Sequence, residues 1–283
     1  MTYGLGMLLD AGLVLVADTR TNAGVDNVSS YRKLHCLAHG PDREIHVACS
    51  GSLSASQAAL GLLLEGDRSD GEAIPALEGA GSMFAVAGIV GEALREANRR
   101  IDQALAPVRK SAACMLVGGR VGDGPPRLFL VYEEGNFIEC KSDAPFLQIG
   151  ETKYGRPILD RTIRPATPLP AAVKIALLSF DSAMRSNLAV ARPLDMMVMP
   201  SDRRQPTFVT RIEKDDPYFN TLSERWSDLL VEATMEVPDP DFMSTGIVAK
   251  PLSVVAGPDR SLAAPASRLT PALRKVAPNL NKG

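Results

Sequence analysis

Thr2 stands directly behind the initiator methionine, and a threonine there is small enough for removal of Met1 to be expected. A chain starting at Thr2 carries a hydroxyl and a free α-amino group on one residue. An α-amino group titrates near 7.7–8.0, against about 10.4 for a lysine, so near pH 7 roughly a tenth of it is neutral. It can act as general base for the hydroxyl beside it, a nucleophile–base pairing suited to acyl transfer. Many proteins carry a second-position threonine without catalytic use, so Thr2 gains meaning only from its surroundings. Asp18 follows the apolar run Leu13–Ala17 and opens onto the polar stretch Thr19-Arg20-Thr21-Asn22, and Lys33 precedes the apolar run Leu34–Ala38. An ammonium beside the threonine oxygen favours the alkoxide, and a carboxylate keeps that ammonium charged and oriented. Gly51, between the apolar stretch ending at Cys49-Ser50 and the helix start at Ser52, allows close approach of a substrate, and its N–H can point at a developing oxyanion. Each residue also has an ordinary reading: a solvated strand end, a solvated lysine, a plain strand-to-helix turn. Cys49 and Leu53 flank the glycine and, with Asn22, are candidates to line a side-chain pocket, expected to be apolar.

Other chemistries have weaker footing. The three histidines are His35, His39 and His46. On a strand, His35 and His39 lie about 13 Å apart, too far to share a metal, and the glutamate of HExxH is absent. No serine sits in a GxSxG elbow, and GLGMLLDAG lacks the third glycine of a dinucleotide loop. No metal and no cofactor is expected. The chain has 283 residues, 45% hydrophobic and 23% charged, with a net charge of −2, which gives no reason to expect nucleic acid as a partner. No apolar run reaches the roughly 18 residues of a membrane span, and the start lacks the basic region of a signal peptide. Cys36, Cys49, Cys114 and Cys140 lie in apolar strand-like runs without CxxC spacing, as buried free thiols of a reducing compartment would. A cytoplasmic location is expected.

Elements that could position these residues follow from hydrophobic periodicity. Strands are expected over 2–9 and 13–18, joined at Asp10-Ala11-Gly12, and over 34–39 and 43–49, joined through Gly40-Pro41-Asp42. The first hairpin pairs positions whose numbers sum to about 21 or 22, bringing Thr2 across from Thr19 or Arg20 and within a residue or two of Asp18. Helices are expected over 52–65 and 82–105, the second with Val90, Leu94, Ala97 and Ile101 on one stripe. Strands near 112–118, 127–133, 137–141 and 145–149 follow, then helices 155–163 and 169–190, the latter with Val173, Leu177, Phe180, Met184 and Leu188 on one face. Strands near 194–200 and 207–211 and a helix over 217–235, capped by Asp216-Pro217, complete the series. Runs of strands alternating with pairs of helices disfavour a βαβ sheet. Two mostly antiparallel sheets packed face to face with helices outside both, a four-layer αββα sandwich of the α+β class, would bury every apolar face.

The charge divides unevenly. Residues 245–283 carry +5 against −7 for the rest, and hold Pro251, Pro258, Pro265, Pro271 and Pro278. Prolines at that density preclude a long helix. The expectation is one large domain over 2–244 and a Pro-rich basic tail over 245–283, extended or disordered.

MTYGLGMLLDAGLVLVADTRTNAGVDNVSSYRKLH resembles the opening of a proteasome β-type subunit, and more narrowly the bacterial proteasome-type proteases called Anbu, for ancestral β-subunit. SGSLSASQ, LQIGETKYGRPILDR, DSAMRSNLAV and IEKDDPYFNTLSERW extend the resemblance over roughly residues 2–235. It implies an N-terminal nucleophile hydrolase with the αββα fold, Thr2 as nucleophile, Asp18 and Lys33 as its charged support, and Gly51 as oxyanion donor. It also implies a peptide or protein substrate and a homo-oligomer, ring-like or an open spiral, and leaves a partner ATPase unfoldase open. Two positions depart from proteasomal β-subunits. Glu151 stands where they carry a serine, and Ser186 and Ala189 stand where they carry an aspartate and a serine; Ala189 has no hydroxyl to reproduce that hydrogen bond. Glu151, Ser186 and Arg20 are therefore candidate supporting residues, in a relay that differs from the proteasomal one. Beside a threonine peptidase, two readings stay open: an amidase for small amides, and a weak or silent assembling subunit.

Overall fold

A computed structural model of the chain describes residues 2–22, 28–66, 75–104 and 112–244, with the side chains of residues 22, 104 and 244 left aside. Met1 and the tail over 245–283 lie outside the described residues. The chain divides into two units, Met1–Thr234 and Met235–Gly283.

β1 (Tyr3–Leu9) and β2 (Gly12–Asp18) form the expected hairpin, with Gly4 opposite Ala17 and Leu9 opposite Gly12. Both strands are central in the first sheet. β10 (Phe146–Gly150) pairs with the outer side of β1, and β11 (Leu194–Pro200) and β12 (Phe208–Ile212) extend the sheet beyond β2. The second sheet runs in chain order: β5 (Leu34–His39), β6 (Arg43–Gly51), β7 (Ala113–Val121), β8 (Arg127–Val131) and β9 (Phe137–Glu139). Every pairing in both sheets is antiparallel.

Alternation along β2 shows why the sheets stack. Leu13, Leu15 and Ala17 face Ala48, Leu116 and Leu128 of the second sheet, while Val14 and Val16 face the other way, toward α4 (Leu169–Ser186). Both faces are buried, so a one-residue slip would exchange two cores at once, and the register is tightly specified. α4 lays Ala172, Ala176 and Phe180 on Leu5, Val14 and Val16, beside α3 (Arg156–Thr162). On the opposite outer face, α1 (Leu53–Glu65) and α2 (Met83–Ala104) bury Ala59, Val86, Val90 and Leu94 against Ile45, Val47, Met115 and Phe129. Each such aliphatic or aromatic side chain contributes about 1.5–3 kcal/mol on full burial. Three cores separate four layers, and the αββα sandwich is the observed fold.

The structure corrects one expectation and adds two features. The strands expected at 137–141 and 145–149, whose sheets were not assigned, fall in different ones: β9 ends the second sheet and β10 joins β1 in the first. The helix expected to reach residue 190 ends at Ser186, because Asn187 is extended at φ −140° and its side chain turns to other partners. Leu188, counted on the apolar stripe, is accordingly 86% exposed. A short polar hairpin, β3 (Arg20–Asn22) with β4 (Val28–Ser30), was not expected, since three-residue polar strands carry no alternation. α5 (Pro217–Glu236) starts as its sequence suggests, Asp216 Oδ1 accepting from the Phe219 N–H at 2.7 Å, and the four-residue α6 (Asp241–Ser244) follows it.

Tyr3 fixes the beginning of β1. Its ring stacks on Phe180 with centroids 4.2 Å apart, and its hydroxyl lies 2.6 Å from Ser179 Oγ and accepts from Gln148 Nε2 at 2.8 Å. Burial pushes the Tyr3 phenol up to about 12. Tyr3→Phe keeps the stack but removes the partner of two polar groups, so a loss of about 1–3 kcal/mol is expected. A shift of the urea midpoint to lower concentration measures it.

Candidate active site

The residue before Tyr3 is held by backbone. The Thr2 carbonyl accepts from the Glu151 N–H at 2.7 Å, continuing the β1–β10 ladder past Gly150. Gly150 has φ +78°, and a Cβ there would overlap the Thr2 carbonyl oxygen, so only glycine lets the two strands close around Thr2.

Asp18 ends β2 with no solvent exposure. Its Oδ1 accepts from the Tyr3 N–H at 2.9 Å and from Lys33 Nζ at 3.0 Å, and its Oδ2 from the Arg20 N–H at 3.1 Å. Lys33 Nζ also donates to the Arg20 carbonyl. The Lys33 carbonyl, just before β5, accepts from the Cys49 N–H at 2.9 Å, which extends the β5–β6 pairing up to the lysine. Burial pushes Asp18 above the usual carboxylate range and Lys33 below the usual ammonium range; their mutual attraction opposes both shifts. Arg20 takes part through its main chain, while its guanidinium turns away to the Leu188 carbonyl at 2.8 Å.

Gly51 ends β6 opposite Ala113, with φ +92°, and a Cβ would overlap the Ala112 carbonyl oxygen. Ser52 then caps α1, its hydroxyl accepting from the Ala55 N–H at 3.4 Å. Gly51→Ala faces a positive φ and a backbone collision together. It is expected to cost about 1–3 kcal/mol and to displace the loop. Reduced labelling of the protein by an electrophilic peptide, beside a lowered melting temperature, is the check.

Thr2, Lys33 and Gly51 open onto one cavity of about 450 Å³. Cys49 and Leu53 line it together with Tyr31 and Leu60, and Thr21, Ser29, Arg32, His35, Ser54 and Gln57 share the wall, so apolar and polar side chains both face the opening. α1 contributes Leu53 and Leu60 to the opening as well as Ser54 and Gln57. Cys49 is nearly inaccessible, and burial pushes its thiol up to about 12. It should resist iodoacetamide in the folded protein while exposed Cys36 reacts, as peptide mass mapping would show.

The supporting residues divide. Glu151 is buried beside Thr2 and well bonded: Oε1 accepts from the Lys153 N–H at 2.7 Å and the Tyr154 N–H at 3.3 Å, and Oε2 from Asn187 Nδ2 at 2.7 Å. Burial favours its neutral form, but these hydrogen bonds outweigh it and lower its pKa. Ser186 is exposed at the last position of α4, and its neighbour Asn187 makes the contact with Glu151 instead. Asn187 Oδ1 also accepts from the Ala189 N–H at 3.0 Å, so an amide bridges the segment where the sequence departs from proteasomal subunits. Asn187 was not singled out from sequence; its signal was an amide directly after a helix. Thr21 was also passed over; its hydroxyl is buried without a hydrogen-bond partner and it lines the cavity. Asn22 closes β3 opposite Val28, and its side chain lies outside the described part. His35 lines the cavity, whereas His39 and His46 both face Glu44 Oε1, at 3.5 and 3.3 Å. Among the described residues no group of three or more His, Cys, Asp or Glu is placed to hold a metal ion, and no helix is long and apolar enough to cross a membrane.

No family model and no curated protein matches the chain. Solved structures do. A mutant, designated Gly-1, of Anbu from Hyphomicrobium sp. strain MC1 is 43% identical, with a TM-score of 0.77, over 85% of this chain and 100% of that one. Anbu from Pseudomonas aeruginosa, solved as a helical assembly, is 38% identical with a TM-score of 0.76, over 84% of this chain and 98% of its own. Anbu from Yersinia bercovieri is 37% identical with a TM-score of 0.75, over 84% and 99%. Identity at this level, sustained over the whole length of the relatives and joined to the same fold, establishes that the chain belongs to the Anbu (ancestral β-subunit) family of proteasome-like subunits.

Proposed function

We propose that the chain is a threonine-type endopeptidase whose nucleophile is the Thr2 hydroxyl, exposed for reaction once Met1 is removed. The observation that carries this reading is the buried Lys33–Asp18 pair, 3.0 Å apart, whose lysine lines the same cavity as Thr2. Two charges removed from water cost several kcal/mol, and hydrophobic residues of similar volume are often as stable in their place. A site that retains them beside a threonine has a chemical use for them.

The neutral α-amine of Thr2, directly or through a water, takes the hydroxyl proton as the oxygen attacks a peptide carbonyl. Lys33 stabilises the developing alkoxide and Asp18 keeps Lys33 protonated. The Gly51 N–H donates to the tetrahedral oxyanion. The intermediate collapses as the amine takes the proton to the departing nitrogen, and water then hydrolyses the ester to free the acid and regenerate the threonine. Glu151 and Asn187 hold the backbone at the start of the chain and act as positioning residues.

The subunit is also proposed to form homo-oligomers, ring-like or open-spiral, a reading supported by the helical assembly of the Pseudomonas relative. Four free cysteines suit a reducing cytoplasm. The Ala189 departure supports a second reading, an assembling subunit with little turnover. One experiment separates the two: the N-terminal residue of the purified protein is determined by mass spectrometry, and the protein is treated with an electrophilic peptide. A start at Thr2 and a covalent adduct on Thr2 are expected. Retained Met1, or an unlabelled Thr2 in folded protein, overturns the peptidase reading.

A further inference from the structure

The wall of the cavity beside Thr2 has an unbalanced charge. Arg32, Lys33 and His35 line it, and none of the described lining residues is acidic. Lys33 is matched by Asp18. Arg32 is not matched in the same way. Its guanidinium lies 3.9 Å from Asp195, and that carboxylate already accepts two hydrogen bonds from Arg211, at 2.7 and 3.0 Å. The positive charge of Arg32 is therefore only weakly offset, on a side chain that is 64% exposed.

A second feature has the same sign. The N-terminus of the 13-residue helix α1 borders the cavity through Ser52, Leu53 and Ser54, and its first turn contains no acidic residue. The first N–H groups of a helix carry partial positive charge, and a carboxylate placed there is favoured. Ser54 and Gln57 add neutral donors on the same wall. A leucine side chain would meet Tyr31, Leu53 and Leu60 on the same wall but would leave the charge of Arg32 unmatched. A lysine would meet Arg32.

We propose that the cavity selects an acidic residue, glutamate or aspartate, on the acyl side of the scissile bond, its carboxylate pairing with Arg32 and the N-terminus of α1. This rests on the peptidase reading above. An acyl carbon bonded to Thr2, with its oxygen toward Gly51, places the side chain of that residue in the space both line.

The test uses the full chain and tetrapeptide amides differing only in their last residue: Glu, Leu or Lys. The expected order of kcat/KM is Glu, then Leu, then Lys. Arg32→Ala should lower the Glu-to-Leu ratio by about three- to tenfold, the modest figure reflecting solvent exposure of the arginine. Arg32→Lys should restore part of it, and added salt should compress it. Because the ratio is internal, a general loss of activity cancels. A wild-type preference for Leu, or a ratio that Arg32→Ala leaves unchanged, overturns the inference. Affinity is measured separately, by fluorescence polarisation of labelled peptides on the Thr2→Ala chain. Tighter binding of the Glu peptide that Arg32→Ala removes supports the pocket even if turnover and Thr2 labelling fail, which would then count against the peptidase alone. Equal or undetectable binding of all three peptides counts against the pocket.

Discussion

Thr2→Ala is expected to lower peptide turnover by about three orders of magnitude or more while leaving the fold intact. The substitution removes a hydroxyl and a methyl group but keeps the carbonyl that accepts from Glu151, so β1 and β10 remain paired. Alanine is also compatible with Met1 removal, which keeps the α-amine in place. Any loss then reports the hydroxyl. Thr2→Ser retains the oxygen and should retain part of the rate. The measurements are kcat/KM on a fluorogenic peptide and a melting curve. Turnover by Thr2→Ala within about tenfold of the parent would leave the hydroxyl without a role.

Asp18→Ala is expected to damage stability and activity together. Lys33 Nζ would keep only the Arg20 carbonyl, and the Tyr3 and Arg20 N–H groups would lose their acceptor. Breaking a buried pair by removing one partner costs about 3–5 kcal/mol. In a domain of this size that lowers the melting temperature by about 10 °C. Lys33→Met leaves Asp18 its two backbone donors and should cost less. The double variant Asp18→Leu/Lys33→Met separates the roles, because it removes the desolvation penalty of both charges. It should recover part of the stability, the Tyr3 and Arg20 N–H groups still lacking their acceptor, and none of the turnover. Recovery of both would mean that the charges serve packing and not the threonine. The pair also sets a pH limit. Burial favours neutral Lys33, so as pH rises the lysine loses its proton below the range of a free lysine, and turnover falls on the alkaline side before an exposed lysine would titrate.

Much of this arrangement is legible in the chain. The unbroken apolar run from Leu13 to Ala17 marked a strand, and the turn at Asp10-Ala11-Gly12 set the register that brings Asp18 to Tyr3. The spacing from Asp18 to Lys33, with apolar strands on each side, allowed the two to meet, and the structure places them 3.0 Å apart. The end of α4 was misjudged for a related reason. Leu188 continues the helical stripe in sequence, but Asn187 finds partners outside the helix, in Glu151 and Ala189, and local periodicity does not register a distant acceptor.

The charged part of the cavity wall was not legible in the chain. Cys49 and Leu53, which flank Gly51, suggested an apolar pocket; the polar side chains that share its wall, Arg32, His35 and Gln57, come from the approach to β5, from β5 itself and from the second turn of α1. Strand and helix patterns, the hairpin register and the αββα layering were fixed by residues close in sequence, since turn geometry and hydrophobic period are local properties. Which sheet β10 joins, what closes around Thr2 and which charges face the opening were decided only by packing between layers, where a side chain's partner is chosen by burial and not by distance along the chain.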